Sequence, residues 1–222
     1  MIDLIKVIKV LNTEELAKVK KYVEEATYSM SDTYGSRETV QKSVVDDESE
    51  VAKMLDSRIK EVVRSYEKLL AESNVYYNNM YRFRTPKILR EGYNIIKYDV
   101  PQHSPWHVDA CTDLWTLVSM GERRLSVILY VNDDFAEGGT QFIGCTYKPS
   151  PGHAIVFPSN ESFPHRGTHV LHGTKYVIVT WIHREEVDHV REVLRDKASS
   201  HLSTLSDLKF TDIGAQPSSL HE

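Results

Sequence analysis

The feature that most constrains the fold is a series of short strands in the second half of the chain. From residue 75 onward the chain is rich in aromatic and β-branched residues, which are typical of strands. These predicted strands are NVYYNNMYRF, YNIIKYDV, RRLSVILYV, GTQFI, HAIVF and KYVIVTWIH. The segments NDDFAEGG, KPSPG and HGTK predict turns between several of them. Many short strands separated by turns indicate an antiparallel sandwich or barrel.

Two helices are predicted before these strands. Asn12 fits an N-cap, and Glu15 three residues later completes a capping-box pattern for a helix over about 13–27. A continuous apolar stripe with charges opposite predicts a longer helix over 48–72 that packs on the sheet. Residues 2–11 indicate an opening strand. Helices followed by many strands place the chain in the α+β class.

Composition and charge exclude several classes of protein. A net charge of −5 and the absence of a run of Lys and Arg give no indication of nucleic-acid binding. The chain lacks both an apolar segment of membrane-spanning length and a signal-peptide pattern, so a soluble cytoplasmic protein is expected. The two cysteines, Cys111 and Cys145, fit reduced thiols in that compartment.

An H-x-D pair follows the predicted strand that ends at Tyr98. On a β-strand, residues i and i+2 face the same side, so His107 and Asp109 could converge on one metal ion. Two imidazoles and one carboxylate leave three positions open on an octahedral ion, which suits non-haem Fe(II) oxygen chemistry. The third ligand must come from elsewhere in the chain. The candidates are His153, His165, His169 and His172.

The order H-x-D, then His, then a basic residue ten positions later resembles the prolyl 4-hydroxylase branch of the Fe(II)/2-oxoglutarate-dependent dioxygenases. The segments RRLSVILYVND, EGGTQF, PSPGHAIVF and YVIVTWIH are similar to segments of that family. The resemblance implies that His107, Asp109 and His165 bind the metal. It also implies that Lys175 pairs with the distal carboxylate of 2-oxoglutarate and that Tyr130 hydrogen-bonds this cosubstrate.

The family resemblance also implies a fold and an activity. The expected core is a double-stranded β-helix, a jelly-roll variant, braced by the N-terminal helices. The expected reaction hydroxylates peptidyl proline and converts 2-oxoglutarate and O2 to succinate and CO2, with Fe(II) bound and ascorbate as reductant. Two alternatives stay open. One is the same chemistry on a free amino acid, another protein side chain or a small metabolite, and the other is a non-catalytic jelly-roll binding module.

One oxygenase domain is expected over 1–197. Its parts are a helical support over about 12–72, a catalytic jelly roll over about 75–184 and a short C-terminal helix over about 184–197. Residues 198–222 form a polar tail, and 28–46 is predicted as a loop with room for one strand. The sequence leaves the oligomeric state open.

The chain departs from the family near the expected substrate entrance. The family usually has a glycine near Pro101 and an aromatic residue near Ser104, and its GGxT segment is one residue longer than GGT here. These differences concern the identity of the substrate more than the chemistry. Beside the expected ligands, Trp106 is predicted to be a core aromatic residue, and Arg166 to grip a carboxylate or to lie at the surface.

Overall fold

The architecture centres on a seven-stranded antiparallel sheet. The structure is a computed structural model that describes residues 4–30, 40–43, 49–72, 92–110 and 123–183. The large sheet has the strand order β1-β9-β5-β12-β4-β3-β2. Its strands are β1 (Lys6–Lys9), β2 (Ser29–Met30), β3 (Val40–Ser43), β4 (Asn94–Tyr98), β5 (Arg123–Tyr130), β9 (His153–Pro158) and β12 (Lys175–His183).

Two smaller sheets complete the strand content of the described residues. A three-stranded sheet has the order β10-β7-β8, and a two-stranded sheet pairs β11 with β6. Their strands are β6 (Ala136–Glu137), β7 (Thr140–Phe142), β8 (Cys145–Tyr147), β10 (His165–Gly167) and β11 (Val170–His172). Two helices, α1 (Thr13–Glu24) and α2 (Glu50–Glu72), precede the strand-rich half of the chain.

Both faces of the large sheet are buried in its central strands. Successive side chains of a strand point to opposite faces, so each strand supplies two layers of core. On β5, Leu125, Val127 and Leu129 belong to one apolar cluster, whereas Ile128 and Tyr130 belong to the other. The same division of alternate residues recurs in β4, β9 and β12. The central strands therefore read as nearly continuous apolar runs.

The helices cover the first of these two faces. Leu55, Ile59 and Val62 of α2 and Val19 of α1 are buried in the same cluster as the first set of β5 side chains. The Tyr66 hydroxyl donates a hydrogen bond of 2.8 Å to the carbonyl oxygen of Leu4 and fixes α2 to the start of β1. Removing this much apolar surface from water is the main stabilising term of the scaffold.

The first helix begins as the sequence predicts. The Asn12 side chain accepts a hydrogen bond from the Glu15 backbone, and the Glu15 carboxylate accepts one from the Asn12 backbone, each at 3.0 Å. The other Glu15 oxygen accepts from the Arg58 guanidinium at 2.6 Å, so this cap also joins α1 to α2. The helix ends at Glu24 and is three residues shorter than predicted.

The predicted fold class is confirmed: two helices and antiparallel sheets form the jelly-roll architecture. Of the six strands predicted from residue 75 onward, the five that fall within the described residues lie where expected. Strands β6, β8, β10 and β11 were not predicted. These four have two or three residues each, too few to show a period of two. The predicted strand NVYYNNMYRF, the C-terminal helix and the polar tail lie outside the described residues.

The domain boundaries remain predictions. Residues Met1–Glu185 form one compact unit, and a second unit, Glu186–Glu222, lies outside the described residues. Within 28–46 the structure shows β2 and β3 rather than a single strand. Neither described helix combines the length and the apolar character that crossing a membrane requires.

We expect the contact between α2 and the sheet to dominate stability. Leu55 is 1% exposed, so Leu55→Ala should lower the free energy of unfolding by about 2–5 kcal/mol through lost burial and a residual cavity. Leu69→Ala is the matched control, because Leu69 is 39% exposed on the same helix. Urea unfolding monitored by circular dichroism measures both, and equal losses would contradict the assigned packing.

Candidate active site

A cavity lies against the second face of the large sheet. Its walls come from β4, β5 and β12 of the large sheet and from β7 and β10 of the three-stranded sheet. Its empty volume, including the open mouth, is about 690 Å³. The lining is largely aliphatic and aromatic, with a few polar groups among it. The lining residues are Ile96, Tyr98, Ser104, His107, Asp109, Ile128, Thr140, His165, Gly167, Lys175, Val177, Val179 and Trp181.

Two histidines are brought together by their own backbones. The His107 N–H donates to the His165 carbonyl, and the His165 N–H donates to the His107 carbonyl, both at 2.9 Å. This reciprocal pair is an isolated antiparallel bridge. The two imidazole rings consequently lie 4.3 Å apart between centroids. A backbone pair with two hydrogen bonds fixes the two Cα atoms relative to each other.

Asp109 completes a cluster of three possible metal ligands. One of its carboxylate oxygens, Oδ1, lies 3.5 Å from His107 Nε2, and Oδ2 lies 3.7 Å from His165 Nε2. The ligand atoms of the three side chains all lie within 4.8 Å of one another. Two imidazole nitrogens and one carboxylate form the donor set that suits Fe(II) with open positions. The residues present therefore fit the metal that the sequence predicts.

Both imidazoles present their Nε2 atoms for coordination. Nδ1 of His107 lies 2.9 Å from the Pro105 carbonyl oxygen, and Nδ1 of His165 lies 3.1 Å from that of Phe163. A carbonyl oxygen can only accept, so each Nδ1 carries the proton and donates it. The Nε2 lone pairs are then directed at the site, as in metal-binding histidines whose other nitrogen is hydrogen-bonded.

The electrostatics of the cluster favour an anion flanked by imidazoles. Burial alone would raise the pKa of the Asp109 carboxyl, but the hydrogen bond that His107 donates from Nε2 when its ring is protonated, the nearby His165 and the Ser126 hydroxyl together hold it below its usual value. Burial lowers the pKa of His165 below its ordinary value. For His107, burial acts in the same direction, yet its interactions with Asp109 outweigh burial and raise its pKa.

Lys175 is a buried cation at the opposite part of the same cavity. It is 2% exposed, and its Nζ lies 4.9 Å from the ring centroid of Tyr98 and 5.0 Å from that of Tyr130. Burial, with a smaller contribution from Lys148, lowers its pKa from 10.5 to about 7. Within the part of the chain that the structure describes, no carboxylate forms an ion pair with it. A buried charge without a partner is costly, so this position suits a bound carboxylate.

Tyr130 is buried beside Lys175 and contacts the cavity wall through Thr140. It is fully buried, and its hydroxyl shares a 2.8 Å hydrogen bond with the hydroxyl of Thr140. Thr140 is a lining residue and Tyr130 is not. Burial raises the pKa of the Tyr130 phenol above its usual value, so the group stays protonated. A protonated phenol can donate a hydrogen bond, either to Thr140 or to a carboxylate held near Lys175.

One structural expectation for the ligands was wrong. The H-x-D pair does not lie on a strand, because His107 forms only the isolated bridge and Asp109 follows it in irregular backbone. His165 begins β10. Convergence therefore comes from pairing between two distant segments, not from alternation within one strand. Of the four candidate third ligands, His165 joins the cluster, while His169 and His172 are exposed.

Other residues near the ligands also differ from expectation. Trp106, predicted to be a core residue, is 47% exposed and lies under the Arg166 guanidinium at 5.2 Å from its ring centroid. Arg166 also donates to the Gln141 side chain at 2.7 Å. Arg123, at the start of β5, stacks on Trp181 at 3.8 Å and donates to the Asp109 backbone carbonyl at 3.2 Å.

Several lining residues were missed by reasoning from the sequence. Tyr98, Thr140 and Trp181 are of residue types that are common in strands, so their types alone do not distinguish them as lining residues. The signal that could have found them is the alternation of side chains along a strand. On β12, every second residue from Lys175 to Trp181 lies on the same face as Lys175. If Lys175 faces the cavity, this alternation predicts which residues of β12 line it.

Comparison with known proteins identifies a family for the segment that forms this cavity. Residues 93–183 match the family model described as the 2OG-Fe(II) oxygenase superfamily. This segment belongs to the 2OG-Fe(II) oxygenase superfamily. It contains all three residues of the ligand cluster together with Lys175 and Tyr130. The resemblance inferred from the sequence is therefore confirmed at the level of the superfamily.

Relatives named as prolyl hydroxylases show sequence or structural similarity. A candidate prolyl 4-hydroxylase of Acanthamoeba polyphaga mimivirus is 27% identical over an alignment that covers 58% of this chain and 64% of that protein. The chain therefore spans less than two thirds of this relative. The viral collagen prolyl hydroxylase of Paramecium bursaria Chlorella virus-1 superimposes with a TM-score of 0.60 at 18% identity, covering 83% of this chain and 97% of that one.

A Pseudomonas putida prolyl-4-hydroxylase superimposes with a TM-score of 0.59 at 14% identity, covering 82% of this chain and 93% of that one. At these identities the structural matches establish the fold, and they leave the substrate to be determined.

The lowered pKa of Lys175 predicts that burying this side chain lowers the free energy of unfolding by an amount that depends on pH. Below about pH 7 the side chain is protonated in both states and the full cost of burying the charge is present. Between about 7 and 10.5 the folded state has released the proton that the unfolded chain still holds, so rising pH stabilises the fold. Without cosubstrate, Lys175→Met should therefore exceed wild type in stability at pH 6, and the difference should shrink by pH 9.

Chemical unfolding of both proteins at several pH values measures this difference. Lys148→Met serves as the control, since Lys148 is only a minor cause of the shift. A stability difference between Lys175→Met and wild type that is constant from pH 6 to 9 would contradict the buried, charged state of Lys175.

Proposed function

We propose that this protein is an Fe(II)- and 2-oxoglutarate-dependent dioxygenase that hydroxylates peptidyl proline. The observation that carries the proposal is one cavity with two complementary ends. One end holds His107, Asp109 and His165 within 4.8 Å of one another, and the other holds the buried Lys175 cation. A metal ion and a dicarboxylate acid are the ligands that would satisfy both ends together.

Each residue has a distinct role in this proposal. His107, Asp109 and His165 would hold Fe(II), and Lys175 with the Tyr130 hydroxyl would bind the distal carboxylate of 2-oxoglutarate. When bound, the iron supplies the oxidative chemistry that couples decarboxylation of 2-oxoglutarate to C–H hydroxylation, with ascorbate as the reductant. The protein positions the reactants and excludes water.

Water exclusion follows from the composition of the cavity wall. Ile128, Val177 and Val179 line it beside Trp181, and each is at most 8% exposed. An apolar wall strengthens the attraction between the Lys175 ammonium and a carboxylate, because little solvent screens it. It also keeps water from the reacting centre.

Similarity to named prolyl hydroxylases supports proline as the substrate. The mimivirus relative carries that description, and a Trichoplax adhaerens prolyl hydroxylase with a TM-score of 0.59 was solved with a peptide fragment of hypoxia inducible factor. Ser104 lines the cavity and accepts a hydrogen bond from the Gly167 backbone. A short polar residue here, where the family usually has an aromatic one, is the feature that could alter substrate choice.

We expect purified protein to form succinate from 2-oxoglutarate in the presence of Fe(II), ascorbate and O2, slowly even without the prime substrate. His165→Ala removes a proposed metal ligand and should abolish this turnover. His172→Ala is the matched control, since His172 is exposed on the neighbouring β11. Succinate measured by mass spectrometry distinguishes the variants.

Two negative results together would refute the proposed oxygenase activity. No succinate from wild type, together with no visible charge-transfer band when Fe(II) and 2-oxoglutarate are added anaerobically, would favour the non-catalytic binding module.

We expect peptides that contain proline to raise succinate formation well above the uncoupled rate and to gain one oxygen atom. A panel of proline peptides, matched peptides with alanine in place of proline, and free amino acids tests this by mass spectrometry. Stimulation by free amino acids but not by peptides would support the proposed chemistry and contradict peptidyl proline as the substrate.

A further inference from the structure

The two carboxylate oxygens of Asp109 have unlike surroundings. Oδ2 accepts a 2.6 Å hydrogen bond from the Ser126 hydroxyl. Oδ1 accepts no side-chain hydroxyl among the described residues. Each oxygen also faces an imidazole, since Oδ1 lies 3.5 Å from His107 Nε2 and Oδ2 lies 3.7 Å from His165 Nε2. Asp109 itself is 4% exposed, so solvent does not even out this difference.

A second serine fixes the direction of the hydrogen bond to Asp109. The hydroxyls of Ser126 and Ser159 lie 2.7 Å apart. An ionised carboxylate only accepts, so Ser126 must use its single proton on Asp109. Ser159 must then donate to Ser126. The resulting relay runs from Ser159 through Ser126 to Oδ2 of Asp109.

The relay is built into the sheet rather than into a loop. Ser126 lies on β5, on the same face of the strand as Ile128, which lines the cavity. Ser159 directly follows β9, the neighbour of β5, and its backbone N–H donates to the Arg124 carbonyl at 3.0 Å. The two serines are 0% and 2% exposed. Buried hydroxyls need partners, and here each serine provides one for the other.

We propose that Ser126, oriented by Ser159, holds Oδ2 of Asp109 in a hydrogen bond so that Oδ1 alone serves as the metal ligand. This inference rests on the proposed function of the site. Both serines are positioning residues, because they act through Asp109. Neither was predicted from the sequence.

Binding through one oxygen of Asp109 matters because it determines how many coordination positions of the metal ion stay open. Two imidazoles and one carboxylate oxygen occupy three positions of an octahedral ion and leave three open. A cosubstrate bound through two of its oxygens would use two of these, and one would remain for O2. If both oxygens of Asp109 bound the metal, that last position would be lost. The relay opposes this outcome, because the short charge-assisted hydrogen bond orients the carboxylate and makes Oδ2 a weaker donor to a metal ion than Oδ1.

The first measurement is metal affinity, determined by anaerobic titration with Fe(II). Ser126→Ala should weaken binding about 10–100-fold, as is typical when a group that orients a metal ligand is removed. Ser126→Thr keeps the hydroxyl and should bind Fe(II) like wild type. Ser159→Ala should show a smaller loss, since Ser126 can still donate. Ser162→Ala is the matched control, because Ser162 is exposed in the loop before β10.

The second measurement reports on the last open position. Nitric oxide is a stable probe of the O2 position, and its adduct with Fe(II) gives a characteristic electron paramagnetic resonance signal. With saturating Fe(II) and 2-oxoglutarate, wild type, Ser126→Thr and Ser162→Ala should form the adduct, and Ser126→Ala should lose most of the signal. A merely structural role for Ser126 would lower stability without this change.

The outcomes separate this inference from the proposed function. Wild type that binds neither Fe(II) nor 2-oxoglutarate would refute the proposed function itself. Wild type that binds both, beside a Ser126→Ala variant with unchanged Fe(II) affinity and nitric oxide signal, would overturn the relay alone. Ser126→Thr behaving like Ser126→Ala would also overturn it, because the hydroxyl would then be irrelevant. If Ser126→Ala does not fold, an unchanged Fe(II) affinity in Ser159→Ala decides against the relay.

Discussion

The alternation of side chains along the central strands is the constraint on which the rest of the structure depends. Strands β4, β5, β9 and β12 are covered on both faces, so every residue in them serves one of two purposes. Residues of one parity pack against α1 and α2, and residues of the other parity line or support the cavity. A shift of one residue in register would exchange the two sets and place Lys175 in the helix-facing core.

The cavity combines two buried charges of opposite sign that do not neutralise each other. Asp109 is stabilised by imidazoles and a serine hydroxyl, whereas Lys175 lies beside the rings of Tyr98 and Tyr130 and forms no ion pair with a carboxylate of the described residues. Such an arrangement costs stability in the empty protein and favours ligands that bring the missing charges. The cluster around Asp109 can hold a cation, and the proposed function places an anion beside Lys175.

Much of this could be predicted from the sequence, because the signals were local. The capping box at Asn12 and the apolar stripe of α2 depend on spacing within one helix, and both are present in the structure. The strands long enough to be apolar over several residues were also predicted. The short strands β6, β8, β10 and β11 could not be, since they exist only because a partner segment offers hydrogen bonds. The ligand set came from the ordered spacing of His107, Asp109, His165 and Lys175 and from family resemblance.

By itself, the sequence determined the fold class, the main strands and the identity of the residues that could bind a metal and a carboxylate. Only the tertiary structure decided how they meet. The reciprocal backbone hydrogen bonds between His107 and His165 join segments 58 positions apart, and no local pattern encodes that pairing. The serine relay to Asp109 likewise exists only where β5 lies beside β9. The physical reason is that spacing governs contacts within one element, whereas contacts between elements depend on register and on which surfaces are buried together.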